Sequence, residues 1–287
     1  MVSSCPSGES RGYYQDEDLW MDYQIWHANG YPCRGPKPDF NKDYISAIGA
    51  AQVFGRYASF PFPSLLSNFC NIGCANLGTA GNGPSSPHFF DNMDIINKSK
   101  LCIVTVMSGR SVGNRYWSCY GGNNYGKNEL NGEECVGQVF WEYVIRELYT
   151  GEVRDLIHET RNQYIEEFKR LFTAITVPTI FLYMSKFGYC EYKLDLSDTN
   201  SLFGCFPQMI DKDTVMNISQ FSDQFVEVIY KSEPERIPAP QENHYAQQFL
   251  GLPKELMAYN NYYPTSKEHF ATLDALLPTV ERIIKDG

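Results

Sequence analysis

The stretch Tyr-Ile-Ser-Ala-Ile-Gly-Ala-Ala-Gln-Val-Phe-Gly-Arg-Tyr, residues 44–57, decides the fold of this chain. Residues 44–48 are a short apolar run of β-forming character that stops at Gly49, and residues 64–69 have helical spacing. The order is therefore strand, tight turn and helix. In an open parallel sheet, ligands bind at the carboxyl ends of the strands, so this turn predicts one wall of a site.

Strand and helix patterns continue to alternate along the chain. Further strands are predicted from residue 74, at 101–107, at 179–184 and at 225–230, and helices at 89–98, 152–175 and 270–284. The run 101–107 is apolar on both faces, as expected for a strand in the middle of a covered parallel sheet. We therefore predict one α/β domain at 41–287, with a doubly wound, mostly parallel sheet of about five strands between helical layers.

Three segments lie outside this alternation. Residues 1–40 are polar, aromatic and rich in Pro and Gly, which predicts an irregular N-terminal arm packed on the domain through its aromatic side chains. Residues 117–136 are rich in Gly and Asn and predict a long loop or lid over the carboxyl edge. Residues 187–209 predict an aromatic insertion.

Composition limits the classes of partner. The formal net charge of −10 opposes non-specific binding to nucleic acid or to anionic lipid. The first ten residues lack the apolar core of a signal peptide, and no apolar stretch is long enough to span a bilayer, so we expect a cytoplasmic protein. Core packing, an aromatic pocket or a homo-oligomer contact would each use the 20 Tyr and 18 Phe. The nine irregularly spaced cysteines favour reduced thiols over disulfides or a metal site.

Polar groups accumulate where the predicted strands end. Gln52 and Arg56 follow the first strand, and the glycines of the 78–83 loop expose backbone N–H groups that suit an anion. Arg110 follows the buried strand, and a guanidinium can donate two parallel hydrogen bonds to a carboxylate, sulfate or phosphate group. The sequence therefore predicts an anion-binding edge.

The spacing Gly-Ala-Ala-x-x-x-Gly at 49–55 resembles the Gly-Asp-Ser-x-x-x-Gly opening of the GDSL or SGNH hydrolase superfamily. The segment Asn-Asn-Tyr-Tyr-Pro at 260–264 resembles the Asp-x-x-His-Pro segment of the same superfamily. The resemblance implies the α/β fold of these hydrolases, but the nucleophilic Ser falls on Ala51, the Asp on Asn260 and the His on Tyr263. It therefore also implies that ester hydrolysis by the usual triad is absent.

The resemblance extends over about residues 30–285, on the Arg-Gly-Pro run at 34–36, Asn-Leu-Gly at 76–78, the 106–115 run and His269. These look like a bacterial domain family of unknown function that is SGNH-like and lies near surface-polysaccharide genes. The Gly-Ala-Ala-Gln turn is also similar to the Gly-Asn-Cys-Gln turn of capsular-polysaccharide acetyltransferases. The resemblance implies that Asn114 donates to an oxyanion, and that Gly78 or Gly81 contributes a backbone amide.

Three functions fit these residues. The first is a group transferase that moves an acyl or sulfuryl group from an anionic donor, such as acetyl-CoA or a phosphosulfate nucleotide, to a polar acceptor with a hydroxyl or amine. The acceptor would attack directly, with His269 as general base and Asn114 and Gln52 completing the catalytic group. The second is a non-catalytic protein that binds a polar or anionic small molecule. The third is an atypical hydrolase that uses Ser108 or Ser111. The predicted ligand-binding residues are Gly49, Arg56, Gly78, Gly81, Ser108, Arg110, Ser111 and Tyr263.

Overall fold

The computed structural model describes residues 17–18, 21–121, 124–231, 235–237, 259–260 and 262–286. The strands are β1 Trp26–Ala28, β2 Tyr31–Cys33, β3 Tyr44–Gly49, β4 Gly73–Gly78, β5 Cys102–Thr105, β6 Trp117–Cys119, β7 Tyr125–Asn128, β8 Glu134–Val136, β9 Thr179–Ser185, β10 Gln224–Ile229, β11 Glu235–Arg236 and β12 Tyr259–Asn260. The helices are α1 Ala51–Phe54, α2 Phe62–Cys70, α3 Pro87–Asp91, α4 Met93–Asn97, α5 Gly137–Glu147, α6 Thr150–Ala174, α7 Thr199–Phe203, α8 Lys212–Ser219 and α9 Ser266–Asp286. Across the described ranges, every helix is too short or too polar to traverse a bilayer.

The central sheet has five parallel strands in the order β10-β9-β5-β3-β4. Helices α3, α4, α6 and α8 pack apolar side chains on one face, and α2 and α9 pack on the other. The predicted doubly wound α/β fold is confirmed. The strand order reverses between β3 and β5, and a ligand site in such a sheet lies outside the carboxyl ends of the strands at that point.

Two segments differ from the sequence-based prediction. The predicted loop at 117–136 contains the antiparallel sheet β6-β7-β8, whose buried Trp117 ring stacks on Phe140 of α5 at 4.9 Å. The predicted helix at 89–98 is two short helices separated at Asn92. The buried Asn92 side chain donates to the His88 carbonyl at 2.8 Å, and such a local bond competes with a continuous helix.

The described part of the arm is tied to the domain through Arg34. Strands β1 and β2 form an antiparallel pair, and Trp26 packs in the main core. The Arg34 guanidinium is buried and donates to the Gly55 carbonyl at 2.5 Å and to the Ala58 carbonyl at 2.7 Å. It also lies 4.6 Å above the Tyr23 ring. Arg34 therefore holds the turn that follows α1.

Two glycines allow the chain around β3 to pack closely. A Cβ atom at Gly49 would lie 1.9 Å from Thr105 Oγ1 of β5. A Cβ atom at Gly78 would lie 2.5 Å from the Phe54 backbone nitrogen and 2.7 Å from Val53 Cβ. Because these positions have no room for a side chain, they set the spacing of the carboxyl edge.

We expect Gly78→Ala to lower the free energy of unfolding by about 1–3 kcal/mol, the usual cost of overpacking. Gly151→Ala is the matched control, because a Cβ there has no neighbour within 4 Å. Chemical denaturation of the two variants checks this expectation. Equal denaturation midpoints would contradict the close packing of α1 on β4.

Candidate functional site

Loops after three strands meet at the carboxyl edge of the sheet. The Thr79 N–H, after β4, donates to the Gly49 carbonyl at the end of β3 at 3.2 Å. Ser111 Oγ, after β5, donates to the Gly81 carbonyl at 3.0 Å. The structure therefore brings the predicted Gly49, Gly78–Gly81 and Ser108–Ser111 segments to one edge.

Ala51, which the sequence resemblance aligns with a nucleophile, is enclosed by apolar groups. Ala51 begins α1 and clusters with Met21, Tyr23, Phe54 and Ala80. Tyr263, which stands in the catalytic histidine position of the superfamily pattern, packs on the same cluster. The segments 49–55 and 260–264 of that pattern are therefore neighbours in space. The side chains that they bring to the same cluster are the Ala51 methyl group and the Tyr263 phenol ring.

Asn260 shapes the turn that carries Tyr263. Its Oδ1 accepts from the backbone N–H groups of Tyr262 at 3.2 Å and Tyr263 at 2.9 Å, and its Nδ2 donates to the Tyr263 carbonyl at 2.9 Å. The Asn260 side chain is thus fully engaged with backbone groups. It orients the turn and relays no proton.

Arg56 binds a carboxylate that the sequence did not single out. Its Nε lies 3.0 Å and 3.1 Å from the two carboxylate oxygens of Glu17, and its Nη2 also contacts Glu17. Arg56 Nη1 donates to the Tyr263 hydroxyl at 3.0 Å. The predicted ligand residues Arg56 and Tyr263 therefore lie together, with Glu17 of the arm in front of them.

Arg110 lies at the same edge without a carboxylate partner among the described residues. Its Nε donates to Ser108 Oγ at 3.3 Å, and its guanidinium lies 5.3 Å from the centre of the Phe203 ring. Tyr262 is close by: burial of its hydroxyl end raises the pKa of Tyr262, and the Arg110 charge opposes that rise. Tyr262 also meets Tyr263 edge to face at 4.9 Å, which joins the Arg110 and Arg56 regions.

Gln208 completes the Arg110 region and was missed by sequence reasoning. Its Nε2 donates to the Tyr262 hydroxyl at 2.9 Å, whereas its buried Oε1 has no hydrogen-bond partner in the described part of the chain. A Cβ atom on Gly109 would lie 2.6 Å from the Gln208 carbonyl oxygen, so the loops after β5 and β9 touch here. No sequence signal identifies Gln208, because it lies beyond α7 and reaches the site only through its tertiary contact with Tyr262.

Gln52 is enclosed on α1 at this edge. It is 4% exposed, and its Oε1 has no hydrogen-bond partner within the described ranges. A buried, unpartnered amide oxygen is costly unless a water or ligand satisfies it. Gln52 therefore stays a candidate for ligand contact, and its predicted catalytic role stays a prediction.

Asn114 and Ser111 have structural partners. Asn114 Nδ2 donates to Thr160 Oγ1 of α6 at 3.0 Å, and its Oδ1 accepts from the Tyr116 N–H at 3.0 Å. Fully buried Ser111 contacts Asn124 Oδ1 in addition to the Gly81 carbonyl. These bonds give both side chains structural roles, and the expected roles of Asn114 as oxyanion donor and Ser111 as nucleophile stay predictions.

His269 is fully buried near the start of α9. Its Nδ1 accepts from the Phe62 N–H at 3.1 Å, and its Nε2 has no hydrogen-bond partner in the described ranges. Burial, with a smaller contribution from the Arg34 charge, lowers the pKa of His269 to about 3. The expected role as general base does not fit this position, because the imidazole is shut off from solvent and organises the start of α2 instead.

The three predicted catalytic residues therefore belong to separate environments. Gln52 lies on α1, Asn114 links a turn to α6, and His269 lies between α9 and α2. In the described ranges, no group of three or more His, Cys, Asp or Glu side chains is arranged to hold a metal ion.

Comparison with protein families finds one partial match. Residues 13–124 match the model of a domain of unknown function, DUF6473. This agrees with the resemblance to a family of unknown function, over a shorter range than the sequence suggested; the link to polysaccharide genes stays a prediction. No curated protein matches the chain.

Comparison with solved structures finds matches of low sequence identity to this chain. A protein from Lactobacillus plantarum is 12% identical, with a TM-score of 0.40 over 84% of this chain and 97% of its own. A carbohydrate esterase family 2 enzyme with a carbohydrate binding domain, from Corynascus thermopiles (Myceliophthora fergusii), is 10% identical, with a TM-score of 0.40 over 89% and 70%. A family two carbohydrate esterase from Clostridium thermocellum is 8% identical, with a TM-score of 0.42 over 90% and 69%. Similarity at this level does not extend to the chemistry of the site.

The buried imidazole of His269 predicts a dependence of stability on pH. The unfolded chain binds a proton with an ordinary pKa of about 6.5, whereas the folded chain resists protonation down to a pKa of about 3. The free energy of unfolding therefore falls as the pH decreases from about 6.5 towards 3. In His269→Asn, Oδ1 replaces the Nδ1 acceptor and does not titrate. We therefore expect the free energy of unfolding of this variant, measured by chemical denaturation, to fall less steeply between about pH 6.5 and pH 3.

His88 is the internal reference for this experiment. Burial lowers the pKa of His88 to about 4, and this residue is retained in both proteins. Its contribution to the pH dependence is therefore common to them. Identical slopes of unfolding free energy against pH would contradict the neutral, buried state of His269.

Proposed function

We propose that this protein binds a small anionic molecule at the carboxyl edge of its parallel sheet, and that Arg110 is the principal contact. The observation that carries the proposal is the setting of Arg110. Ser108 and Phe203 orient its guanidinium, and no carboxylate within the described ranges neutralises it. A guanidinium held in this way matches the oxygen spacing of carboxylate, sulfate and phosphate groups.

Neighbouring groups support an anion at this position. Gln208 and Tyr262 are hydrogen-bonded to each other beside Arg110, and Ser108 Oγ accepts from the Arg110 N–H at 3.1 Å. Because Ser108 Oγ accepts both of its bonds from Arg110, its hydroxyl hydrogen is left to donate, and an anion is a suitable acceptor. These groups come from loops after β5 and β9 and from the segment before α9, so the fold sets their spacing.

Serine-dependent ester hydrolysis has little support at this edge. Ala51 lacks a hydroxyl, and Ser111 is buried in hydrogen bonds. Ser108 contacts no general base among the described residues. A protein that binds its ligand without a covalent step agrees best with these positions.

Direct acyl or sulfuryl transfer requires a base that meets the acceptor. His269 does not meet it, because its imidazole is buried beneath α2. Acetyl-CoA and a phosphosulfate nucleotide both carry the anionic groups that Arg110 would recognise, so they are ligand candidates for the binding function as well. Group transfer is the second candidate, and turnover of either donor would favour it.

We expect Arg110→Ala to weaken the binding of inorganic sulfate and phosphate at least tenfold, consistent with about 1.5–3 kcal/mol for hydrogen bonds to a charged group. Isothermal titration calorimetry measures the affinity. Arg115→Ala is the matched control, because Arg115 follows the same strand along the chain but pairs with Glu159 at 3.3 Å. Equal affinities of Arg110→Ala and the unmodified protein would overturn the proposal.

A fluorophosphonate probe tests the hydrolase alternative separately. Because the proposal assigns no nucleophile, we expect no covalent modification of Ser108 in the intact protein. Mass spectrometry of the labelled protein detects such an adduct. Modification of Ser108 that is lost in Ser108→Ala would favour hydrolysis over simple binding.

A further inference from the structure

The nucleophile position of the fold is bordered by a cradle of Arg56, Tyr23, Tyr57 and Tyr263, and Glu17 occupies it. The Glu17 carboxylate accepts hydrogen bonds from Nε and Nη2 of Arg56. It also accepts from the Tyr23 hydroxyl at 3.0 Å and from the Tyr57 hydroxyl at 3.4 Å. This is the hydrogen-bonding pattern of a carboxylate receptor, in which a forked guanidinium is supplemented by hydroxyl donors.

The cradle is enclosed and its receptor groups are held in place. The side chains of Arg56 and Glu17 are 17% and 6% exposed. The Arg56 guanidinium stacks on Tyr57 and Tyr263, with its central carbon 4.7 Å and 5.2 Å from the ring centres. The Tyr57 N–H donates to the Tyr23 hydroxyl at 3.2 Å, which links two of the receptor side chains.

The occupant comes from a different part of the chain than most of the receptor. Arg56 and Tyr57 follow α1, and Tyr263 precedes α9, whereas Glu17 belongs to the arm. Next to Glu17, the buried Oδ1 atom of Asp18 has no hydrogen-bond partner among the described residues. The Asp18 carboxylate instead interacts electrostatically with the buried Arg34 guanidinium. Most of the receptor thus belongs to the domain, whereas its occupant Glu17 and the neighbouring Asp18 belong to the arm.

We infer that this cradle is a carboxylate-binding site with Glu17 as its built-in occupant, and that a small monocarboxylate occupies it when Glu17 is absent. The site is distinct from the Arg110 region of the proposed function, although Tyr262 and Tyr263 connect the two. Methyl groups of Ala51 and Ala80 lie in the neighbouring cluster, so apolar groups border the cradle next to the charged Arg56 guanidinium. A short carboxylic acid has the matching chemistry.

Chemical rescue tests this inference in the full chain. In Glu17→Ala, the thermal unfolding midpoint should rise saturably with sodium formate and with sodium acetate, at ionic strength held constant with sodium chloride. Any ligand that binds the folded state raises this midpoint, so the titration reports binding even where the substitution alone changes stability little. The unmodified protein should show no saturable rise, because Glu17 fills the site.

Three variants separate a carboxylate site from a general salt effect. Asp18→Ala removes the adjacent carboxylate and should not respond to formate. Glu17→Gln fills the cradle with a neutral side chain and should respond at least tenfold more weakly than Glu17→Ala. Glu17→Ala with Arg56→Gln removes the guanidinium and should lose the response. A formate response that is absent from Glu17→Ala, or that persists without Arg56, would overturn the inference.

The rescue experiment and the sulfate titration can fail independently. Arg110→Ala in a protein that keeps Glu17 should weaken sulfate binding at least tenfold, because Glu17 fills the cradle. Arg110→Ala added to Glu17→Ala should leave the formate midpoint shift unchanged. Loss of the formate response alone would overturn the cradle while the proposed function stands. Loss of Arg110-dependent sulfate binding alone would overturn the proposed function while the cradle stands.

Discussion

The close approach of the chain on both sides of β3 is the constraint on which the edge of this protein depends. Gly49 and Gly78 leave no room for a side chain beside Thr105 and α1. As a result the turn after β3 lies against the loop after β4, with a backbone hydrogen bond from Thr79 to Gly49. The polar groups carried by these two loops are therefore positioned relative to this contact.

The edge is divided into two chemically different halves. Around Ala51, an apolar cluster packs with the Tyr263 ring. Two guanidinium groups lie beside this cluster: Arg34 donates to backbone carbonyls, and Arg56 pairs with Glu17. Around Arg110, the described residues supply hydroxyl and amide groups but no carboxylate. Since burying an unpaired charge is costly, the half-buried Arg110 guanidinium is the group there that gains most from an incoming anion.

The sheet could be predicted from sequence because buried parallel strands are apolar on both faces. The place of Arg110 at the carboxyl edge could be predicted because it follows such a strand, whereas its role in binding stays a prediction. The short strands around Trp117 could not, because their pattern is too brief to separate from a loop. Glu17 and Gln208 acquire their roles only through tertiary contacts with Arg56 and Tyr262. His269 was misplaced for a related reason: a sequence shows that an imidazole is present, but not how deeply α2 and α9 enclose it.

Arginine side-chain NMR tests the division of the edge most directly. The Nε–Hε signals of Arg110 and Arg56, assigned with Arg110→Lys and Arg56→Lys variants, would be followed during titration of the unmodified protein with sulfate. We predict a saturable change at Arg110, while Arg56 keeps the signal of a guanidinium bound to Glu17. A saturable change at Arg56 with none at Arg110 would contradict this account.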